Sequence, residues 1–421
     1  MKPIKHLRWW IVWTLFCSTV INYIDRQTLS NLAPAITSEF HMSNADYSYI
    51  VSAFQAAYAI MWLVGGVLLD LIGTRVGLTI AMIWWSLASM LPAFAHSVRS
   101  FAISRFLLGI GEGLNWPGAS KTVAEWFPAK ERGLAVGIFD SGSSVGGALA
   151  AVLVPWLAIF LGWRFAFLTA GSLGLAWLGL WLYLYHPLKS HPRLSSEERL
   201  VIEAGRDTAP VSSRRGAARY LSLLTQSNVW GIVLGRSLTD PIWWFYIFWL
   251  PKYLSDTHGF SLKQIAAFTW LPFVASDIGN FTGGLASGFL IRRGMPVVRA
   301  RKWVCVVSCV PILAGIPAAL TMSPYWALGL ISLATWGYAS WSTMGLTFPS
   351  DLFPQDVVAS VTGLSGLGAA GLSAITTLAV GWLVDRFSYL PAFVAAGTIP
   401  LLATACVLIL IRPVESSQSP L

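Results

Sequence analysis

Apolar runs long enough to cross a bilayer recur from Trp9 almost to the end of this chain, and that recurrence limits the fold more than any other feature. A helix rises about 1.5 Å per residue, so roughly 20 mostly apolar residues span the hydrocarbon core. With Gly, Pro and clustered charge as punctuation, the pattern predicts spans near 9–36, 45–71, 76–95, 100–121, 133–160 and 163–186. A polar, arginine-rich stretch from His186 to Ser227 follows, and then spans near 228–254, 262–291, 300–320, 325–348, 356–385 and 389–412. The expectation is an all-α integral membrane protein with twelve transmembrane helices in two six-helix halves: 1–186, a cytoplasmic central loop 187–227, and 228–421.

Composition agrees. Hydrophobic residues make up 55% and charged residues 11% of the 421, where a soluble domain carries about 25% charged. The net charge of +9 does not point to nucleic acid, because about 20 of the 28 Lys and Arg fall in segments that share one side. Those segments are the N-terminus, Arg75, Lys130 and Arg132, the central loop, Arg292 to Lys302, and the C-terminus. This is a positive-inside bias, and an even number of spans then puts both termini on the cytoplasmic side; the expected location is the plasma (inner) membrane. The opening MKPIKHLRWW reads as the flank of a retained first helix, since the apolar run lacks a small-residue cleavage site. Cys17, Cys305, Cys309 and Cys406 all lie in apolar runs, which argues against disulfides or zinc. The six histidines fall at predicted helix ends or in loops, and no convergent nucleophile or metal set appears. No phosphate-binding GxxxxGK[ST] loop is present, so no ATP is implied. The expectation is a protein without cofactor, not an enzyme, working as a monomer in a lipid bilayer.

Ionised groups inside the spans carry the functional signal. Each costs about 2.5–3.5 kcal/mol at a helix centre on insertion scales, so it needs a partner, a water-filled cavity or a task. The first span, NYIDRQTLSNLAP, sets Asp25 and Arg26 side by side. They lie about 100° apart around their helix, so they face different neighbours. Arg26 is the candidate to meet an anionic substrate, because a planar guanidinium matches a carboxylate and keeps its proton. Asp25 is then directed into the first half, toward Arg105. Arg105 and Glu112, seven apart in the fourth span, share one face within about 20° and sit roughly 10 Å apart along the axis. Glu112, flanked by Gly111 and Gly113, is the first candidate to carry a proton, and Asp25 the second. In the second half, Asp277 and Asn280 share a mid-span face and are candidates for substrate hydroxyls. Arg236 and Asp240, four apart, read equally as a local ion pair or as part of the site.

The halves look related. Glu125 to Gly137, EWFPAKERGLAVG, lines up with Asp351 to Gly363, DLFPQDVVASVTG, and Gly66 to Gly73 resembles Gly288 to Gly294. Two parallel six-helix repeats form a transporter architecture, with a site near the midplane between them.

Three segments carry a family resemblance: Gly66-VLL-Asp70-LI-Gly73-T-Arg75 between the second and third spans, Arg105-FLL-Gly109 in the fourth, and GIFDSGSSVGG in the fifth. Together they resemble the major facilitator superfamily. NYIDRQTLSNLAP, the Glu in GIGEGLNWPG, and EWFPAKERG are similar to its anion:cation symporter branch, and the second half is similar to the hexuronate transporters of that branch. The resemblance implies a proton-coupled symporter importing a small carboxylated sugar, a hexuronate or aldonate. Another organic anion, or a non-transporting sensor of such anions, is the alternative. It implies that Arg26 holds the substrate carboxylate and that Asp25 and Glu112 take protons. It also implies that Tyr58 donates its hydroxyl to substrate and that the hydroxyls of Ser340, Ser342 and Ser365 contact substrate; Arg105 is a further substrate-binding candidate, and Asp70 and Arg75, in a loop at the cytoplasmic end, are assigned to gating. Ser143 and Ser365 stand where the galactonate pattern has Gln and Asn, so the contacts to sugar hydroxyls differ from that pattern.

Overall fold

The computed structural model describes residues 3–204, 223–353 and 355–412. Every regular element among them is helical. In chain order they are α1 (Leu7–Glu39), α2 (Asn44–Ile72), α3 (Thr74–Met90), α4 (Val98–Glu112), α5 (Asn115–Trp126), α6 (Ala129–Leu161), α7 (Trp163–Leu184) and α8 (Ser196–Ala204). Then come α9 (Ser227–His258), α10 (Leu262–Phe268), α11 (Leu271–Arg292), α12 (Val297–Ile312), α13 (Gly315–Ala318), α14 (Pro324–Leu352), α15 (Gln355–Arg386) and α16 (Leu390–Leu410). Among the described residues, five stretches are long and apolar enough by themselves to cross a membrane: Thr74–Phe94, Ala135–Leu161, Trp163–Leu184, Ser360–Arg386 and Leu390–Leu410. Arg26, Glu112, Arg236 and Asp240 lie in helices outside these five stretches.

Local chemistry sets the helix ends. Ser43 caps α2 in a capping box, its Oγ accepting from Asp46 N while Asp46 accepts from Ser43 N. The same device opens α4 with Ser97 and Ser100, and α10 with Ser261 and Gln264. Between α2 and α3 the chain reverses at Gly73, whose φ of 81° suits a residue without Cβ. The predicted fourth span is broken: α4 stops at Glu112 and α5 restarts at Asn115. The predicted eighth and ninth spans are broken too, after Phe268 and Ile312.

The chain groups into two compact units. Unit 1 is Met1–Pro210 with Ile247–Val274 and Thr377–Arg386; unit 2 is Val211–Tyr246, Ala275–Thr376 and Phe387–Leu421. One boundary falls within 187–227, but Ile247–Val274 and Thr377–Arg386 group with the first unit, and specific contacts explain why. Within unit 1, Ser30 Oγ and Tyr47 OH donate to the carbonyls of Ile247 and Phe248 at 2.6 and 2.7 Å. Asp385 accepts from the backbone N–H groups of Asn44 and Ala45, satisfying orphan donors at the start of α2.

At its N-terminus α1 uses a carboxylate from α8. Glu198 accepts from Leu7 N and Arg8 N, and Arg8 bridges Glu198 and Glu131. The negative charge sits where the helix dipole favours it. His191, in the strap before α8, donates from Nε2 to the Leu184 carbonyl and accepts at Nδ1 from Arg193 N, which keeps the ring neutral. Burial pushes its pKa below the ordinary histidine value, and the bond to Leu184 opposes that only in part.

The paired segments Glu125–Gly137 and Asp351–Gly363 play matching parts. Glu125 accepts from Thr74 at the start of α3, and Asp351 accepts from Arg301 in α12, the third long helix of each half.

Candidate functional site

The α1 residues around Asp25 and Arg26 are buried throughout, polar side chains included: Asn22, Asp25, Arg26, Gln27, Thr28, Ser30 and Asn31 are each at most 2% exposed. Adjacent positions point to different neighbours, as helical spacing requires. Arg26 turns to α4, where Nε and Nη2 both donate to Glu112 Oε2 at 3.3 and 3.0 Å. Nη2 also donates to Asn22 Oδ1, one turn back on α1, at 3.0 Å. The rings of Tyr23, Tyr58 and Phe54 surround the guanidinium carbon, with centroids at 4.8, 4.8 and 5.2 Å. A cation over aromatic faces is favoured most where water is excluded.

Asp25 points the other way and accepts from Ser89 Oγ of α3 at 2.7 Å. Arg105 does approach Asp25, but its Nη1 donates to the Asp25 backbone carbonyl at 3.3 Å rather than to the carboxylate. Phe167 of α7 lies under the Arg105 guanidinium at 5.3 Å. Two cations and two carboxylates are thus packed into one apolar core, and the cluster carries no net charge when all four are ionised.

The cluster is incompletely satisfied. Among the described residues, Asp25 Oδ2, Glu112 Oε1, Asn22 Nδ2, and Arg105 Nε and Nη2 are buried without a hydrogen-bond partner. Each such atom costs about 1–3 kcal/mol, more when charged. A native core keeps so many only where a ligand, a proton or water takes them up.

Close helix contact makes this arrangement possible. Glu112 sits at the last turn of α4, beside the break before α5. A Cβ on Gly109 would lie 2.5 Å from the Phe54 carbonyl oxygen of α2, so glycine alone permits this approach. Replacing Gly109 by Val should cost about 3 kcal/mol, because a backbone oxygen cannot rotate away. A detergent melting curve would read it as a clearly lowered transition, and an unchanged transition would refute the packing argument.

Unit 2 has its own polar cluster. Arg236 Nη2 pairs with Asp240 Oδ2 at 2.8 Å, and Nη1 donates to Ser365 Oγ at 3.0 Å. Tyr338 OH donates to Asp240 Oδ1 at 3.3 Å, and its ring stacks on Trp243 at 5.8 Å. The local pair that the four-residue spacing allowed is formed, and Ser365 joins it. Asn280 accepts from Thr343 Oγ1 at 2.9 Å. Ser340 donates to the Gly279 carbonyl at 2.8 Å, so its hydroxyl proton is committed to helix packing. Asp277 and Ser342 are half-buried on α11 and α14. Arg75 Nη2 donates to the Leu182 carbonyl of α7 at 3.2 Å, and the side chain of Asp70 lies outside the described residues.

Sequence reasoning missed Asn22, Ser89, Phe54 and Tyr338. Asn22 was within reach, since a residue four before Arg26 shares its face. Ser89 and Tyr338 come from other helices, and nothing local in the sequence marks them.

Residues 15–376 match the sequence profile of the Major Facilitator Superfamily. A hexuronate transporter of Escherichia coli (strain K12) is 33% identical over 403 residues, covering 96% of this chain and 93% of its own. A galacturonate transporter of Dickeya chrysanthemi is 36% identical over 79% of this chain and 97% of its own. A probable galactarate/D-glucarate transporter of Escherichia coli (strain K12) is 31% identical over 98% and 96%. Among solved structures, a D-xylose-proton symporter superposes with a TM-score of 0.75 at 16% identity, covering 96% of this chain and 98% of its own.

Proposed function

The chain belongs to the Major Facilitator Superfamily of multi-pass membrane transporters, which are not enzymes and need no cofactor, and from that premise we propose that it is a proton-coupled symporter of a small carboxylated sugar, a hexuronate or aldonate. It works by alternating access, as a monomer, in the plasma (inner) membrane with both termini cytoplasmic. The relatives named above as hexuronate and galacturonate transporters support the substrate class. The observation that carries the mechanism is the buried, net-neutral and under-satisfied cluster of Asp25, Arg26, Arg105 and Glu112.

The chemistry follows from charge. Arg26 already gives two donors to one oxygen of Glu112. A substrate carboxylate needs those donors. Bringing another negative charge into an apolar core without compensation costs several kcal/mol. A proton on Glu112 supplies the compensation: it cancels one negative charge and frees Arg26 for the incoming carboxylate. Uptake of the acid and uptake of the proton then become one event. Asp25, with its unpartnered Oδ2, is the second proton acceptor.

Tyr58, whose ring lies against Arg26, is assigned to the substrate site. Arg105 holds the α1 backbone at Asp25 and keeps two donors in reserve. In unit 2, Ser342, Ser365, Asp277 and Asn280 offer polar groups to hydroxyls, and Ser340 serves through its packing. Asp70 and Arg75 are assigned to gating, where the bond from Arg75 to α7 is the contact a conformational step would break.

The test is uptake of labelled glucuronate into proteoliposomes. Accumulation should require an inward proton gradient and collapse with a protonophore. Binding without proton-dependent uptake would remove the symporter reading and favour a sensor. Binding of dicarboxylic or aromatic acids lacking sugar hydroxyls, equal to that of glucuronate, would favour another organic anion.

A further inference from the structure

A strap of residues 185–195 joins α7 to α8 within unit 1, and one histidine pins it. His191 is 5% exposed, and both ring nitrogens are committed. Nε2 donates to the Leu184 carbonyl at 2.9 Å, and Nδ1 accepts from Arg193 N at 3.1 Å. A carbonyl cannot donate and an amide N–H cannot accept, so these partners admit the neutral ring alone. We propose that His191 is a pH-sensitive catch: a proton arriving on Nδ1 from the cytoplasm turns Arg193 away and frees α8 from the N-terminus of α1, which slows transport. The catch rests on contacts within unit 1, and its link to transport rests on the symporter reading above.

Arg193 is where the strap grips the chain ahead of α1: its carbonyl accepts from Ile4 N at 3.0 Å. Five residues on, Glu198 accepts from Leu7 N and Arg8 N, two orphan donors of the first turn of α1. Arg8 carries the tie onward to Glu131 of α6. A proton on Nδ1 sets two N–H groups against each other, and the bond to Arg193 is lost. The surroundings do not rescue an imidazolium. Arg193, and Arg75 at the start of α3, oppose its charge. His186 of the same strap stands at 5.2 Å, and Trp126 of α5 covers the ring at 5.4 Å. Glu125, the α5 carboxylate one residue before Trp126, is engaged by Tyr185. Glu198 favours the charge, but it is already bound to Arg8 and to the two α1 amides. The charged ring therefore leaves its pocket. In water it recovers the ordinary value of about 6.5, whereas burial holds the docked ring lower. The undocked state thus binds the proton more readily, and docking weakens as pH falls through that value. Alternating access moves a half of the molecule largely as one body. With its first turn untied from α6 and α8, α1 follows less faithfully, and Arg26 with it. A proton symporter delivers protons to this face, so the catch limits import when the cytoplasm turns acid.

The test is hydrogen–deuterium exchange on the purified full chain at about pH 7.5 and about pH 5.5, corrected for the chemical exchange rate. Opening at the Leu7, Arg8 and Arg193 amides should rise several-fold, up to about tenfold, the ceiling for one ordinary histidine over this range. Amides in the middle of α7 should stay protected. His191→Asn, neutral and still able to accept from Arg193 N, should stay protected at both pH values. His191→Gln, which keeps the donor to Leu184, should likewise show no pH response and serves if His191→Asn does not fold; a melting curve checks both. A wild-type change below about twofold overturns the catch. So does either variant that keeps the wild-type response, which would place the titrating group at His186 or Glu198. Glucuronate counterflow at equal pH on both sides reads the link to transport: wild type should slow more than His191→Asn between the two pH values, and equal slowing overturns that link. Absence of counterflow from both proteins at about pH 7.5 removes the symporter reading and leaves the exchange result to decide the catch.

Discussion

Arg26→Lys should lose substrate binding by about 100-fold while the protein still folds. Charge is conserved in this substitution, so a purely electrostatic role would predict a small effect. The structure gives Arg26 more than charge. Its Nε and Nη2 converge on one oxygen of Glu112, Nη2 also reaches Asn22, and three aromatic rings enclose its plane. An ammonium has no plane to lie among those rings and cannot present two parallel donors to one carboxylate. Loss of one charge-assisted hydrogen bond, at about 1.5–3 kcal/mol, together with weakened stacking, brings the total to about 3 kcal/mol. At about 1.4 kcal/mol per decade, that is roughly two orders of magnitude. Calorimetry with glucuronate measures it directly. An affinity within threefold of wild type would show that the site needs only a positive charge here.

Much of this site was legible because intramembrane charge is rare and helical spacing is strict. Asp25 and Arg26, adjacent on one helix, had to face different partners, and they do: Ser89 for one and Glu112 for the other. Family resemblance added Tyr58, whose ring stands against Arg26. The Asp25–Arg105 link was anticipated by side chain and found through backbone. Spacing along one helix says which way a residue faces, not which atom it will meet. Ser340 shows the other limit. A hydroxyl on an apolar helix looks free in sequence, yet here it bonds the Gly279 carbonyl of a neighbouring helix. In the fold, the long apolar runs announced helices, but three were broken. Near Glu112, a Cβ on glycines 109, 111 or 113 would clash with α2 or α3, a closeness that the sequence alone does not mark. The contacts of Ser30, Tyr47 and Asn44 with residues two hundred and more positions away have no local signature at all.

Glu112→Gln should bind glucuronate at least as well as wild type, exchange it across the membrane, and fail to accumulate it under a proton gradient. An amide has the shape of a protonated carboxyl and no proton to release. In the present geometry Glu112 engages Arg26 through Oε2 and leaves Oε1 buried without a partner. Gln removes the negative charge that competes with substrate for Arg26, so the barrier to binding falls. It also removes the group whose protonation ties the gradient to the substrate, so net uptake loses its driving force. Counterflow, in which labelled substrate exchanges for unlabelled, needs no net proton movement and should persist. The pattern separates coupling from structure: a variant that was merely misfolded would lose exchange and binding as well. Asp25→Asn serves as the comparison, since Asp25 faces Ser89 and does not touch Arg26's donors. If Glu112→Gln accumulates glucuronate under the gradient while Asp25→Asn does not, the proton travels on Asp25, and the pairing of Arg26 with Glu112 is a structural bond rather than the coupling switch.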